Sequence, residues 1–161
     1  MNIPLTHGRF TQVDEADALR LAGIKLYTLN NTIHRKMYAG VYQRSISKMT
    51  LLHRWILGVT DRSVTVDHIN GDSLDNRRSN LRLCSLSENL MNRKLARNNT
   101  TGFKGIYQKK GASRWRAFIS LNGKQRWIGY FASKEEAARA YDAKAIELYG
   151  PYARLNFPRS E

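Results

Sequence analysis

The apolar residues of the first third of the chain fall into short runs rich in Ile, Val, Tyr, Leu and Thr, with Lys and Arg between them. Such runs are typical of short strands, and Asn30-Asn31 is a good tight turn between the first two. The predicted strands are 24–29, 33–42 and 46–52. A helix is predicted over 14–22, and a second over 51–57, where the apolar residues follow a helical period.

The middle of the chain predicts the order strand, loop, strand, helix. Residues 64–68 form the first strand, and a loop rich in Asn, Asp and Arg separates it from a second strand at 81–84. Ser85 and Glu88 have the spacing of a capping box and predict that a helix begins there. The apolar residues expected to face inward from this helix are Leu86, Leu90 and Leu95.

The last third predicts a three-stranded antiparallel sheet packed on one helix. A polar segment over 97–102 lacks any periodicity and suits a linker. Asn122-Gly123 is a strong hairpin signal, and Ser133 with Glu136 begins an alanine-rich helix that ends at Gly150-Pro151. The predicted strands are 103–109, 114–121 and 125–131. The fold class is therefore α+β.

Alternation along the C-terminal strands separates an inner from an outer face of this sheet. The inner residues Trp115, Ala117 and Ile119 are expected to pack on Ala137, Ala138, Tyr141 and Ala145 of the helix. The outer face would then carry Tyr107, Lys109, Arg114, Arg116, Phe118, Gln125 and Trp127. Exposed aromatic rings among arginines favour a binding surface over a merely solubilising one.

The charge of the chain points to a polyanionic partner. The formal net charge is +14, and residues 90–134 contain eleven Lys or Arg and no Asp or Glu. A basic stripe of this kind is the usual electrostatic mark of nucleic-acid binding. The single cysteine, Cys84, excludes an intramolecular disulfide and a cysteine-based zinc site. We find no apolar run of spanning length and no signal-peptide pattern, which predicts an intracellular protein that is not secreted.

The most informative chemistry lies between residues 67 and 89. Hydrolysis of a phosphodiester needs a base to deprotonate water and a cation to stabilise the developing charge. Asp67-His68 supplies a carboxylate and an imidazole, and Asn89 supplies an amide oxygen from the following helix. Oxygen ligands of this kind suit Mg²⁺. Because neighbours on a strand face opposite ways, both residues can serve one site only if the strand ends at His68 and the chain bends there.

Two other interpretations of this segment were weighed. Asn70-Gly71-Asp72 has the composition of an ordinary surface turn, in which the polar residues only shape the backbone. A helix-loop-helix calcium loop fails by register, because Gly71 at its sixth position would place Val66 first and Arg77 twelfth. The conjunction of Asp-His, Asn80 and a capped helix with Asn89 favours the catalytic interpretation.

These residues resemble the HNH homing endonucleases, whose metal site is built on a β-β-α finger. The phrase from Val66 to Asp72 and that from Leu74 to Leu81 match the variant with asparagine at the third position. The resemblance implies that His68 is the general base, that Asp67 and Asn89 hold one divalent ion, Mg²⁺ or Mn²⁺, and that Asn80 braces the loop. The catalytic residues it implies are His68, Asp67, Asn80 and Asn89.

From Gly105 to Pro158 the chain resembles the plant Apetala-two/ethylene-response-factor DNA-binding domain. The matching phrases are Trp127-Ile128-Gly129-Tyr130-Phe131, Glu135 to Asp142, and Leu155-Asn156-Phe157-Pro158. Several arginines of the plant pattern are replaced here by Tyr107, Lys109 and Gln125, so the GC-rich target of those factors is not expected.

Together these patterns predict a metal-dependent homing-type endonuclease, of phage or intron origin, that acts on double-stranded DNA as a monomer without a protein partner or a membrane. The predicted regions are a nuclease region over 1–97, a linker over 98–101 and an Apetala-two-like domain over 102–158. The residues expected to contact DNA are Arg54, Arg77, Arg78, Arg93, Tyr107, Lys109, Arg114, Arg116, Gln125 and Trp127. The alternative is a sequence-specific DNA-binding regulator without catalysis.

Overall fold

A computed structural model describes residues 1–31 and 36–158 of the chain. They divide into two compact units between Leu86 and Ser87. Small antiparallel sheets and short helices make up the first unit, and a three-stranded sheet packs on a long helix in the second. The predicted α+β class is confirmed, whereas the functional boundary at 98–101 stays a prediction.

The first unit contains a hairpin, a three-stranded sheet, a two-stranded sheet and two short helices. Its strands are β1 (Asn2–Pro4), β2 (Phe10–Gln12), β3 (Leu26–Asn31), β4 (Lys36–Gln43), β5 (Lys48–Leu51), β6 (Thr65–His68) and β7 (Leu81–Cys84). Its helices are α1 (Glu15–Arg20) and α2 (Leu52–Ile56). Leu52, Val13 and Val41 are among its fully buried side chains, so α2, the β2 end and β4 meet in one core.

Two of the predicted strand limits in this unit are wrong. Asn30 and Asn31 belong to β3 and pair with Met37 and Lys36, so they are not the turn. Cross-strand pairing has overridden the turn preference of asparagine here. The strand predicted from 46 begins at Lys48, because a 3₁₀ turn occupies Arg44–Ile46. Residues 33–35 of the strand predicted over 33–42 lie outside the described residues.

The second unit follows the predicted plan of three strands and one helix. A short helix, α3 (Leu86–Met91), bridges the division of the chain, and the later elements are β8 (Ile106–Tyr107), β9 (Trp115–Leu121), β10 (Lys124–Phe131) and α4 (Lys134–Tyr149). The sheet order is β10-β9-β8. Asn122 and Gly123 both have positive φ, as a tight hairpin requires, and the hydroxyl of Ser133 accepts the amide of Glu136.

The predicted inner face of this sheet is confirmed, but two other expectations are wrong. Ala117, Ile119, Ala137, Ala138, Tyr141 and Ala145 are all buried together. Only Ile106–Tyr107 of the segment 103–109 forms a strand. Leu86, Leu90 and Leu95 are 67%, 56% and 41% exposed, and α3 ends at Met91, so they do not form an inward stripe.

Gly105, just before β8, lies against the ring of Tyr141 on α4. Its φ is +76°, and a Cβ built on it would lie 2.2 Å from the ring of Tyr141. Only glycine combines that backbone conformation with so little space. No helix in the described part of the chain is both long and apolar enough to span a bilayer.

Candidate functional site

The end of β6 places Asp67 and His68 at the start of a tight bend. The strand ends at His68, and the amide of Gly71 donates to the His68 carbonyl at 2.8 Å, with Gly71 at a φ of +71°. The amide of Ile69 donates to the Asn80 carbonyl at 2.9 Å, which keeps the two ends of the loop together. The chain therefore bends at the position that the Asp-His pair requires to serve one site.

Asp67 presents a buried carboxylate, 6% exposed, beside a guanidinium group. Arg82, its register partner on β7, donates to Oδ2 of Asp67 from Nε at 3.0 Å and from Nη2 at 2.7 Å. A buried charge needs such a partner. The bonds to Oδ2 fix the orientation of the carboxylate in the sheet.

His68 is also 6% exposed, and its ring is enclosed by other rings. The ring of His53 contacts it edge-on with centroids 4.9 Å apart, and Tyr38 lies 6.4 Å away. Burial lowers the pKa of His68, while the hydrogen bond with Asn76 and the charge of Asp67 oppose that shift. The net lowering keeps the imidazole neutral near pH 7, which is the form that can accept a proton.

His53, on α2, is a buried neutral histidine behind His68. It is 5% exposed, and burial, followed by the nearby His68 and Arg54, lowers its pKa to about 3. Because a phosphate contact would need an exposed cation, we interpret His53 as a structural residue. Its presence at the site was not predicted, because nothing in the sequence pairs residues 53 and 68.

The loop between β6 and β7 is held by side-chain amides and a buried carboxylate. Oδ1 of Asn80 accepts a hydrogen bond from the backbone amide of Asn70 at 2.9 Å, and Nδ2 of Asn80 donates to the backbone carbonyl of Asp75 at 2.7 Å. The carboxylate of Asp75, 3% exposed, accepts a hydrogen bond from the side chain of Asn70 and two from the guanidinium of Arg77. The loop thus has a fixed shape.

Two further residues, Asn76 and Thr11, reach the site without having been predicted. Nε2 of His68 lies 3.2 Å from Oδ1 of Asn76, whose Nδ2 donates to the hydroxyl of Thr11 at 2.7 Å. Both Asn76 and Thr11 are completely buried. Asn76 lies within the family-like phrase, which could have drawn attention to it, whereas Thr11 carries no local signal.

Asn89 lies in α3 and is half-buried. It belongs to the second unit, and its assignment as a metal ligand rests on the resemblance. Among the residues that the structure describes, no group of three His, Cys, Asp or Glu side chains is placed to hold a metal ion. A carboxylate and amide oxygens are hard donors, and they fit an ion such as Mg²⁺ that keeps waters and takes other ligands from a phosphate.

Three arginines predicted to contact DNA have contacts within the first unit. Arg54 donates to the carbonyls of Val64 and Asp61 at 2.7 and 2.5 Å. Arg77 holds Asp75, and Arg78 donates to Asp17 at 2.7 and 2.8 Å. The bonds of Arg77 and Arg78 position the loop between β6 and β7, and those of Arg54 hold the segment before β6. A DNA contact by any of these three side chains stays a prediction.

The outer face of the C-terminal sheet carries aromatic rings around an arginine. Tyr107, Arg116 and Tyr130 are aligned across the three strands, and Phe118 pairs with Trp127 in the next row. Tyr107, Trp127 and Tyr130 are 53%, 48% and 52% exposed. Lys109, Arg114 and Gln125 are exposed as well, as is Arg93 in the segment after α3.

Tyr130 was not predicted on this face. A register shift between Trp127 and Gly129 inserts one residue into β10, so that the alternation changes sides and Tyr130 joins Trp127. Their rings are in edge contact with centroids 4.6 Å apart. A glycine within a strand is a recognised sign of such a bulge, and Gly129 could have indicated it.

Arg116 lies at the centre of this aromatic face. Its guanidinium carbon is 5.3 Å from the centroid of the Tyr130 ring, a cation–π arrangement. Its Nε is buried and has no hydrogen-bond partner within the described residues. A buried donor without a partner is costly.

Known proteins are similar to this chain over the segment that contains Asp67, His68 and Asn80. Residues 58–91 match the model of an HNH endonuclease family. Protein 3.8 of Escherichia phage T7 is 34% identical over 98 residues, covering 61% of this chain and 80% of that protein. The chain belongs to the HNH endonucleases. An uncharacterized HNH endonuclease of Acanthamoeba polyphaga mimivirus is 33% identical over 110 residues, 65% of this chain and 56% of that protein.

The C-terminal part of this HNH endonuclease is similar to plant proteins of the Apetala-two type. Dehydration-responsive element-binding protein 2A of Arabidopsis thaliana is 44% identical over 66 residues, 40% of this chain. The chain spans 19% of that plant protein's length, so the likeness concerns one domain. The predicted composition, an HNH nuclease joined to an Apetala-two-type domain, is confirmed.

Proposed function

We propose that this HNH endonuclease hydrolyses phosphodiester bonds of double-stranded DNA with one divalent ion, Mg²⁺ or Mn²⁺, at its site, and that it is of the homing type. The observation that carries the proposal is His68: a buried, neutral imidazole beside Asp67 at the end of β6. Both residues lie within the segment that matches the HNH family. A neutral histidine of this kind is suited to general-base catalysis.

In the proposed reaction His68 takes a proton from water. The electrons of the broken O–H bond stay on the oxygen, which bonds to phosphorus as the bond to the leaving oxygen breaks. Asp67 and Asn89 would hold the ion, which supplies charge stabilisation at the phosphate. Asn80 holds the loop through Asn70 and Asp75, and so keeps the bend after His68 in place.

DNA recognition is assigned in part to the outer face of the C-terminal sheet. A twisted antiparallel ribbon fits the major groove, and Arg116 is the side chain there suited to a guanine edge. The exposed Trp127 and Tyr130 would contact sugars and bases beside it. In this proposal residues 1–97 cut, residues 102–158 recognise part of the site, and the chain acts as a monomer.

A cleavage assay with the purified chain and supercoiled plasmid tests the proposal. We expect nicked or linear product with Mg²⁺ or Mn²⁺ and none with EDTA. His68→Ala should slow cleavage at least about a hundredfold, the usual minimum for a general base. His7→Ala is the matched control, because His7 is an exposed histidine of the same unit, and it should cut at the wild-type rate.

Two outcomes would contradict the proposal. Cleavage by His68→Ala at more than about a hundredth of the wild-type rate would remove the general-base role. A chain that shifts duplex DNA in a gel but cuts none of it with any divalent ion would instead be the non-catalytic regulator. Gel shifts with His68→Ala should match the wild type, since phosphate contacts elsewhere supply the affinity.

A further inference from the structure

A chain of three hydrogen bonds leads from His68 into the core of the first unit. Nε2 of His68 meets Oδ1 of Asn76 at 3.2 Å, Nδ2 of Asn76 donates to Oγ1 of Thr11 at 2.7 Å, and that hydroxyl donates to the carbonyl of Leu74 at 2.8 Å. Thr11 and Asn76 are both fully buried. Water therefore does not compete for these bonds, so each donor in the series must meet an acceptor within it.

The Leu74 carbonyl at one end of this series sets the donor and acceptor of every hydrogen bond in it. A backbone carbonyl can only accept, so the Thr11 hydroxyl gives its hydrogen to Leu74 and its oxygen accepts from Asn76. The amide group of Asn76 must then face Thr11, which turns its oxygen toward His68. Because an amide oxygen can only accept, the nitrogen that faces it, Nε2, carries a hydrogen.

Strand β2 keeps this chain in register. The amide of Gln12 donates to the Leu74 carbonyl at 2.8 Å, and the Gln12 carbonyl accepts the amide of Asn76 at 2.8 Å. Gln12 is thus hydrogen-bonded to the loop on both sides of Asp75, and it forms a parallel bridge with Asp75. Thr11 is next in the same strand, so its hydroxyl is fixed relative to Asn76.

We propose that Asn76 and Thr11 are positioning residues that hold His68 in the tautomer with hydrogen on Nε2, so that Nδ1 is the atom that takes the proton from water. A neutral imidazole has a single N–H, and a hydrogen on Nε2 leaves the basic lone pair on Nδ1. On accepting the proton, the ring becomes an imidazolium with hydrogen on both nitrogens. The Asn76 oxygen then stabilises that cation. The catalytic part of this inference rests on the proposed function.

The decisive measurement is the tautomer of His68 by ¹⁵N NMR of the full chain labelled at histidine. Spectra are recorded without metal at a pH of about 8, above the ordinary histidine range. The His68 signals are assigned by their loss in His68→Gln. We expect a protonated-type signal at Nε2 and an unprotonated one at Nδ1. The opposite pattern in the wild type overturns the proposal.

Variants then test whether Asn76 and Thr11 cause that tautomer. Thr11→Val removes the hydroxyl with little change in volume, so the Asn76 amide loses its acceptor and can turn. We expect signals of both tautomers, with a kcat about ten- to a hundredfold lower and an unchanged KM, the range for residues that orient a catalytic group. Asn76→Leu should do the same, whereas Asn76→Asp keeps an acceptor and should keep the Nε2–H form.

Thr28→Val is the matched control, because the Thr28 hydroxyl donates to a backbone carbonyl, that of Thr6, in the same unit. It should change neither the His68 spectrum nor kcat. If Thr11→Val leaves tautomer and kcat at the wild-type values while folded, the positioning role is wrong. A wild-type chain with the Nε2–H form that cuts no DNA would overturn the proposed nuclease and leave the tautomer assignment standing.

Discussion

Arg78 holds the carboxylate of Asp17, which is completely buried, with bonds of 2.7 and 2.8 Å. Its backbone amide also donates to Asp14, and its guanidinium donates to the carbonyl of Ile56. These bonds tie the loop after β6 to α1 and α2. The Arg78 guanidinium lowers the pKa of Asp17, so the carboxylate stays charged in the folded chain. An arginine first expected to contact DNA therefore has a structural task.

We predict that Arg78→Ala lowers the free energy of unfolding of the first unit by about 1–3 kcal/mol, because it leaves a buried carboxylate with less compensation. Arg20→Ala, which removes the other cation on Asp17, is the control and should cost less, since Arg20 makes one bond there. Amide hydrogen exchange at Ala39 and Val41, buried residues of β4 in the first unit, measures the stability of both variants. A loss of DNA affinity in Arg78→Ala with unchanged stability would instead assign the side chain to DNA contact.

Acid should destabilise the first unit through His53. Its pKa is about 3 in the folded chain and near 6.5 when exposed. As the pH falls below 6.5, His53 binds a proton in the unfolded chain but stays neutral in the folded chain. Stability is then lost at up to about 1.4 kcal/mol per pH unit until pH approaches 3, and it is constant above 6.5. The lowered pKa of His68 acts in the same direction.

Amide hydrogen exchange at Ala39 and Val41, buried residues of β4, measures this pH dependence. His53→Phe keeps a ring in the core without a titrating group and should flatten the loss between pH 6.5 and 5. His7→Gln removes an exposed histidine and should leave the curve unchanged. An equal slope in all three proteins would assign the acid sensitivity to other groups.

Substitution at Gly105 should destabilise the second unit more than substitution at another glycine of similar backbone. Gly105→Ala brings a Cβ to 2.2 Å from the Tyr141 ring, whereas Gly111, with a φ of +79°, has nothing within 4 Å. Gly111→Ala therefore reports backbone strain alone, about 1–2 kcal/mol. Gly105→Ala should add a steric cost of about 1–3 kcal/mol. Thermal unfolding that ranks the two variants equally would contradict the close packing.

Metal dependence should change before activity disappears in variants of the proposed ligands. Asp67→Ala and Asn89→Ala should need more Mg²⁺ for half-maximal cleavage, because each removes an oxygen donor. Asp61→Ala removes an exposed carboxylate of the first unit and serves as the control. Identical Mg²⁺ titrations for all of them would take Asp67 and Asn89 off the ligand list.

Tyr130→Ala should weaken DNA binding although the tyrosine lies far from the proposed catalytic residues in sequence. Loss of a half-exposed ring beside Trp127 and Arg116 should cost about 1 kcal/mol or more, which is about fivefold or more in affinity. Ile146→Ala removes a side chain that is 39% exposed on α4, opposite the sheet face, and should bind normally. Fluorescence anisotropy with labelled duplex at two salt concentrations measures both. Equal affinities would remove the outer face from the interface.

Local pattern was sufficient for much of the second unit. The alternation that buries Ala117 and Ile119 and the capping box at Ser133 are properties of neighbouring residues, and both agree with the structure. Local pattern gave wrong predictions where contacts with residues distant in sequence determine the strand limits or the face on which a side chain lies. Pairing with β4 made a strand of Asn30 and Asn31, and the bulge between Trp127 and Gly129 reversed the side on which Tyr130 lies.

The candidate site divides in the same way. Asp67, His68 and Asn80 were named from their spacing and from the family-like phrase, and their catalytic roles stay predictions. Thr11 could not be found, because its contact with Asn76 joins residues 65 positions apart and leaves no periodic or compositional trace. His53 and Tyr38 likewise contact His68 although they lie 15 and 30 positions away in the sequence, so no local pattern links them to it.

Hydrogen bonds from β2 hold the loop after β6, so the nuclease finger depends on residues outside its own segment. Residues 58–91 contain every residue proposed for catalysis or metal binding. Thr11, which we propose orients Asn76, lies outside that segment on β2. Grafted alone onto a foreign scaffold, the segment would carry its catalytic histidine without the strand that fixes the loop behind it. A chimaeric enzyme should therefore inherit residues 1–97 as one piece, which includes both β2 and Asn89.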